Sequence, residues 1–488
     1  MARTLSYQVG ILTFGRMAAY MALFFVPLVN VRTLSQYDYG VYRQFWLLFE
    51  SLSAIFIMSF PNSLFYYLPR SETEKEKSIY VTQTLVFLIV MGLLSWGAYG
   101  ILNVVLHEGL GAVVEQYFWA FCFFTFFMIV SRYMDSLFVA EKQAERQTVY
   151  HMSTNILQAM LVISLSWFTR DITFMVWGLT GFAFLKFLFT LFYTKAVYGI
   201  QLRFISMNSI KEQFSYALPL GLSSIVLILF TQTDKYIITH YLGSSAFAIY
   251  SVGAFQVPFV NIIRGSVTNI TFPLMADMQK QGNYEEIVDL YQRATLKTAV
   301  LFYPIFAFLA VSAREFITIL FTHQYAEAAP VFMLYLLLFV RSSVETGSIL
   351  MIFKKNIFLF EVFLVGFVVN VFLSIILFKQ FGRLGVPAAT VIVTYAVNIV
   401  NILRASRLLK VSFFRILPWG KMGVRLIVAV VPAVIPWLFY SNLYIDSFKS
   451  IAGIGAIYFA VYALLSFKLG FIRWDDIKSI FGRTSRVA

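Results

Sequence analysis

Cysteine is all but absent from these 488 residues: the single one, Cys122, lies in the apolar run FWAFCFFTFF. A lone cysteine excludes disulfides within the chain and metal sites built on paired thiolates. Histidine is almost as scarce. The four residues His107, His151, His240 and His323 stand singly, without His-Glu-x-x-His or comparable ligand spacing, so no metal is expected. The chain also lacks the Gly-x-x-x-x-Gly-Lys-Ser/Thr phosphate loop, Gly-x-Gly-x-x-Gly and the Gly-x-Ser-x-Gly nucleophile turn. No cofactor, ATPase or hydrolase machinery is therefore expected. The largest deficit is in charge: 13% of the residues are charged, against roughly 25% in soluble domains, which excludes that class. With 12 Pro and 26 Gly, collagen-like and low-complexity chains are excluded as well.

What is present is apolar surface. Hydrophobic residues make up 60% of the chain, including 53 Phe and 28 Tyr, and at about 20 residues per crossing such a chain is filled by membrane spans. Apolar runs between polar breaks predict an all-α polytopic membrane protein with about fourteen transmembrane helices. They cover approximately 9–31, 44–69, 80–103, 115–140, 151–168, 174–194, 214–240, 248–275, 298–319, 329–352, 358–378, 384–403, 426–440 and 450–467. A spanning stretch interrupted by Arg16 follows Arg3, so no cleavable signal peptide is expected.

The net charge of +14 comes from 38 Lys+Arg against 24 Asp+Glu, and its placement gives its meaning. With the N-terminus inside, the inward segments carry 25 Lys+Arg and the outward ones 6. Insertion retains Lys and Arg on the cytoplasmic side, so both termini are expected there. The basic clusters at 404–425 and 468–486 then mark topology and contact anionic lipid, and no nucleic acid is needed to explain them. In the inward stretch 276–297, Tyr284, Ile287, Val288 and Tyr291 share one face behind Asn283 as a cap, which reads as a short interfacial helix or a surface loop.

The sequence also carries a repeat. LSQYDYGVY (34–42) aligns without gaps on LGSSAFAIY (242–250), each copy joining the first and second helices of a six-helix half. Halves of six helices share one orientation. This predicts an N-terminal lobe at 1–196, an interlobe linker at 197–213, a C-terminal lobe at 214–410, and two extra helices with a basic tail at 411–488. Pro27 and Pro219 interrupt the first helix of each half, and Pro61 and Pro258 the second. They read as hinges or as plain packing kinks.

Seven basic residues fall inside spans: Arg16, Arg132, Lys186, Lys235, Arg264, Arg314 and Arg341. A charge at mid-bilayer costs roughly 2.5–3.5 kcal/mol, so each requires a partner, water or a route to the interface. Arg264 and Arg341 lie deepest, about 15 Å from the nearer helix end; Lys235 and Arg314 can snorkel, and Arg16 is intermediate. Arg132 with Asp135, and Arg341 with Glu345, can close on single helix faces. Arg264 has no local partner and sits in NIIRGSVTN, among Asn261, Ser266, Thr268 and Asn269. This reads as the wall of a hydrated cavity for an anion, or as a cross-helix pair with Glu50 or Asp234. Asp234, Glu50 and Asp135 are the candidates for proton or sodium coupling.

The stretch Ala217–Met278, with Asp234-Lys235 ending the seventh helix, Leu242-Gly243 after it and a Tyr opening the eighth, resembles the second lobe of polysaccharide-biosynthesis transporters. QYDYGVYRQF in the first lobe is similar. These are the O-antigen and lipid-linked oligosaccharide flippases of the multidrug/oligosaccharidyl-lipid/polysaccharide (MOP) superfamily, whose fold is shared with MATE transporters. The resemblance implies a V-shaped pair of bundles that translocates a polyprenyl-pyrophosphate-linked oligosaccharide by alternating access. It implies a cationic cavity with arginines from the first, second and eighth helices. Arg16 and Arg264 match two of these positions, whereas the second helix offers Glu50 within it and Arg43 only at its mouth. A monomer, not an enzyme, is expected, with a polysaccharide polymerase and glycosyltransferases as partners in the pathway. The competing readings are a MATE-like drug or cation antiporter, which calls for carboxylates in an apolar cavity, and an integral-membrane polymerase or glycosyltransferase. The latter calls for a large catalytic loop, and the outward loops here are short.

Overall fold

The computed structural model describes residues 21–105, 110–255, 257–442 and 448–472. Arg16 lies outside them. The described residues are helical throughout, without a strand. In chain order the long helices are α1 (Met21–Thr33), α2 (Gln36–Ile57), α3 (Glu74–Val105), α4 (Phe118–Ala140, with a break at Arg132), α5 (Ala144–Thr169), α6 (Ile172–Val197) and α7 (Met207–Gly253). They continue with α8 (Pro258–Gln281), α9 (Tyr284–Val311), α10 (Ala329–Ser342), α11 (Asn356–Phe381), α12 (Gly385–Leu408), α13 (Trp419–Val430) and α14 (Phe448–Lys468).

Among the described residues nine helices are long and apolar enough to cross a membrane, or ten if the bent pair Gln36–Ile57 and Phe60–Arg70 is one span. That count takes 356–408 as one helix, although α11 and α12 are separated by a turn at Gly382–Leu384. It leaves out α1, whose described part is short, and the more polar α5 and α8. The helices thus fall where the apolar runs place them. Phe168, Phe192, Ile357 and Phe372 are each more than 60% exposed, as suits side chains that face lipid tails.

The chain divides into two compact units, Met1–Ser251 and Val252–Ala488. The boundary lies beyond the 197–213 stretch, because the α7 helix packs along α2. The two aligned segments turn the chain in different ways. Ser35 (φ −64°, ψ 160°) caps α2 by accepting the amide of Asp38 at 3.0 Å. Its counterpart Gly243 (φ 75°, ψ −172°) turns the chain within α7, in a region only glycine enters freely.

In the first unit, α2 and α7 are joined along their length. Ser244 Oγ donates to Gln44 (3.1 Å), Gln232 Nε2 to Glu50 (2.7 Å) and Gln213 Nε2 to Ser63 (3.2 Å), while Ser59 and Ser224 share a bond of 3.2 Å. α2 ends at an elbow where Met58 (φ 48°) and Ser59 (φ 54°) are left-handed, followed by Pro61 in a 3-10 turn at Phe60–Ser63 and a bend of 45°. The elbow rests on the α7 backbone at Gly221, where a Cβ would lie 2.4 Å from the Met58 carbonyl oxygen. Lipid is as apolar as leucine, so such contacts are held by close packing and hydrogen bonds rather than by escape from water. Phe60, fully buried, stacks on Phe87 at 3.9 Å in the core beneath.

In the second unit, the face Tyr284–Tyr291 is not an interfacial helix. It runs without a break into the span as the 28-residue α9, and Ile287, Val288 and Tyr291 are buried against protein rather than floating on a surface. Asn283 bonds the Glu286 side chain (3.3 Å) and makes no side-chain cap. Pro304 lies within α9 and has no N–H to give to the Val300 carbonyl. Tyr462 of α14 supplies the missing donor at 2.9 Å, and Tyr458 donates toward Pro304 O and Ala429 O (3.0 and 2.8 Å). Helix α14 therefore completes the hydrogen bonding of α9.

Candidate anion site

The eighth expected span, 248–275, is interrupted. The helix through Ser251 ends at Gly253, Val257 is extended (φ −71°, ψ 114°), and α8 starts afresh at Pro258, where a missing N–H costs nothing. Non-helical backbone at membrane depth is tolerated where it borders protein or water. Arg264 follows six residues later, about 9 Å along the axis.

Arg264, Thr268, Thr271 and Met275 recur at helical spacing and form one wall of a cleft. Tyr291, Thr295 and Thr298 of α9 face it, and Ser342, Ser343, Glu345 and Ser348 close it from the α10 side. Its cavity volume is about 20 Å³, enough for a water or two. Of the expected polar neighbours, Thr268 lines the cleft. Asn261 and Asn269 are exposed and outside it; Asn269, five residues on, points about 140° away around the helix.

Arg264 is not without a partner. Its Nη2 donates to Glu345 Oε2 at 2.6 Å, a partner within its own unit. Nor do Arg341 and Glu345 share a helix face. α10 ends at Ser342 and a new helix begins only at Gly347. The polar run Ser342-Ser343-Val344-Glu345-Thr346 supplies the reason: Thr346 donates to Asn398 of α12 (3.2 Å), and Glu345 Oε1 accepts the Gly347 amide (3.1 Å). These side chains compete for bonds that a continuous helix would make. Arg341 stays within electrostatic reach of both Arg264 and Glu345, and Arg264 and Arg341 each keep a buried Nε–H without a hydrogen-bond partner. Arg264 and Glu345 line the cleft and balance each other in charge; Arg341, outside the lining but within electrostatic reach, adds a second guanidinium beside it, with donor capacity to spare.

The first unit gathers the other expected residues differently. Glu50 accepts from Gln232, and Lys235 Nζ bonds the same Gln232 amide through its oxygen, a relay linking both charges. Asp234 is 2% exposed and accepts the Tyr250 hydroxyl at 2.8 Å. Arg43 is not at the mouth of its helix. α2 starts at Gln36, which places Arg43 about 10 Å inside it, beside Tyr39 and Tyr42. Asp135 turns away from a same-face partner toward α5, accepting from Gln147 (3.3 Å) and lying 3.6 Å from His151. Pro27 lies in α1, Pro61 in the elbow, Pro219 inside α7 and Pro258 at the start of α8. Among the described residues no cluster of ligating side chains could hold a metal ion.

Sequence reasoning missed Glu345 as the partner, together with Tyr291, Thr295 and Thr298. Hydroxyls at 291, 295 and 298 follow helical spacing, a signal hidden because the stretch was divided between an interfacial helix and a span.

Fold and site define a polytopic helical membrane protein with a hydroxyl-lined cleft in its second unit that holds the Arg264–Glu345 pair. Residues 29–330 match the family described as "Polysaccharide biosynthesis protein", and the chain belongs to that family. Among solved structures it is similar to "Lipid II flippase MurJ, inward closed conformation" (14% identity, TM-score 0.70, covering 93% of this chain and 99% of that one). It is also similar to "Inward-facing conformation of a multidrug resistance MATE family transporter of the MOP superfamily" (14%, TM-score 0.64, 80% and 94%). The outward-facing form of a MATE family transporter matches at TM-score 0.55 and 14% identity, covering 83% and 95%. At these identities the likeness is one of fold, and it agrees with the MOP/MATE-like architecture expected from sequence. A comparison with curated proteins finds no match.

Proposed function

We propose that this protein is a flippase that carries a polyprenyl-pyrophosphate-linked glycan, an O-antigen, capsule or exopolysaccharide repeat unit, across the bacterial cytoplasmic membrane by alternating access. The observation that carries the proposal is Arg264, a guanidinium inside a membrane-embedded cleft, backed by Arg341. An anionic head entering such a cleft exchanges hydration and counterions for fixed charge-assisted donors, while its polyprenyl tail stays in lipid. Membership of a polysaccharide-biosynthesis family supports a glycan cargo. A second guanidinium, Arg341, beside the Arg264–Glu345 pair favours an anion over the cations that a drug antiporter carries, and the protein acts as a transporter rather than a glycan-forming enzyme.

In this reading both termini are cytoplasmic, the protein works as a monomer, and it hands cargo between glycosyltransferases and a polymerase. Coupling to an ion gradient falls to Asp234, Glu50 or Asp135. Arg16 and Arg43 are proposed as further anion contacts, with Asn261 and Asn269 as hydrogen-bonding neighbours. Pro27, Pro61, Pro219 and Pro258 are proposed hinges.

The test is flipping of a labelled polyprenyl-pyrophosphate glycan in proteoliposomes. Charge-assisted hydrogen bonds are worth about 1.5–3 kcal/mol, so Arg264→Ala should flip about 10- to 100-fold more slowly. A variant as fast as the wild type would remove Arg264 from the site. Wild-type protein inactive with several such glycans, yet exporting a cationic dye, would replace the function.

A further inference from the structure

The Arg264–Glu345 pair is placed unlike an ordinary structural ion pair. Its side chains are 26% and 33% exposed, so the pair opens onto the cleft rather than lying sealed in the core. Glu345 comes from a gap between two helices, with Ser342, Ser343 and Ser348 around it on the cleft wall. Its carboxylate is shared: Oε2 takes the Arg264 guanidinium and Oε1 takes the main-chain amide of Gly347. Gly347 fits this role closely, since a Cβ there would lie 3.0 Å from Oε1. One guanidinium, one backbone N–H and a second guanidinium nearby around a pair of carboxylate oxygens make an anion-binding constellation. The chain's own carboxylate fills it.

We infer that Glu345 is a built-in competitor for the anionic substrate head, a surrogate anion that occupies Arg264 when cargo is absent and is displaced when cargo binds. The inference rests on the proposed role of Arg264 as the head-group ligand. Two consequences follow from the charges. The resting cleft avoids two uncompensated guanidinium groups, whose repulsion and desolvation would otherwise oppose its closing. Bound cargo must also give up part of its binding free energy to expel Glu345, which keeps affinity moderate and lets the carboxylate help eject the head on the far side. A flippase that bound its cargo without such opposition would hold it rather than release it. The carboxylate sits at the helix break, so displacement would also release the Gly347 amide and alter the segment between Ser342 and Gly347.

The test compares the wild type with Glu345→Gln, Glu345→Asp and Arg264→Ala, each as the full chain in zwitterionic lipid nanodiscs. Calorimetric titration with farnesyl pyrophosphate, and flipping rates of a labelled polyprenyl-pyrophosphate glycan, are the readouts. Glutamine keeps the acceptor for Gly347 but removes the competing charge. It should bind the probe about tenfold more tightly, and flip more slowly because release is retarded. Aspartate keeps the charge but falls about 1.5 Å short of Arg264, and should bind with intermediate affinity, which keeps the test decisive if the glutamine variant fails to fold. Loss of binding in Arg264→Ala with no gain in either Glu345 variant would overturn the competitor role alone. Wild-type binding in Arg264→Ala would overturn the head-group site, and with it this inference.

Discussion

Gly40 of α2 and Ser244 of α7 approach so closely that a Cβ at Gly40 would lie 2.0 Å from the Ser244 carbonyl oxygen. Gly40 lies within α2 and Ser244 follows the Gly243 kink of α7, and their backbones touch where any side chain would intervene. Together with Gly221 against Met58, the contact clamps α2 to α7 at two points along the hydrogen-bonded seam.

Gly40→Ala should therefore separate the helices. Overpacking of a tight contact costs typically 1–3 kcal/mol, here against rigid backbone. Thermal unfolding in detergent should shift down by several degrees. An unchanged midpoint would show that the seam yields freely.

Tyr462 stands in for the donor that Pro304 cannot provide. Tyr462→Phe keeps the ring and removes only the hydroxyl, leaving the Val300 carbonyl unsatisfied inside the membrane. Membrane hydrogen bonds average about 0.6 kcal/mol with a maximum near 1.7, and the Pro304 gap offers no alternative donor, so a loss near the upper value is expected. The companion change Pro304→Ala restores the helix's own N–H, and in that background Tyr462→Phe should cost little. Equal costs in both backgrounds would refute the repair role.

Asp234 is buried beneath the Tyr250 hydroxyl. Removing that donor in Tyr250→Phe leaves a buried carboxylate short of a bond, at about 1–3 kcal/mol. Asp234→Asn removes the charge that makes the deficit costly. The double variant should be more stable than the sum of its singles predicts, and simple additivity would show the two residues to be independent.

Helix placement was legible because hydrophobic length is a one-dimensional property: about 20 apolar residues fill a bilayer wherever they occur. Arg264 was legible for a related reason, since a deep charge is costly in any packing. Its partner was not. Glu345 is four residues from Arg341, and the local pairing rule assumes a helix that the Thr346–Asn398 bond helps interrupt. The same assumption of continuity, applied in reverse, split α9 in two and concealed its hydroxyl face. The polar run QYDYGVYR resembles a loop and so puts Arg43 at a mouth, while the Ser35 cap starts a helix there. The left-handed elbow at Met58–Ser59 has no sequence signal, since neither residue favours that conformation; only its bed on Gly221 permits it.

The dependence of α9 on Tyr462 also sets an order of events. The donor lies 162 residues downstream of its acceptor, and translation at 5–20 residues per second separates their syntheses by about 8–30 s. Throughout that interval α9 carries an unmet carbonyl, and insertion of α14 completes it. A ribosome stalled before α14 would thus leave α9 with that carbonyl unmet in the membrane.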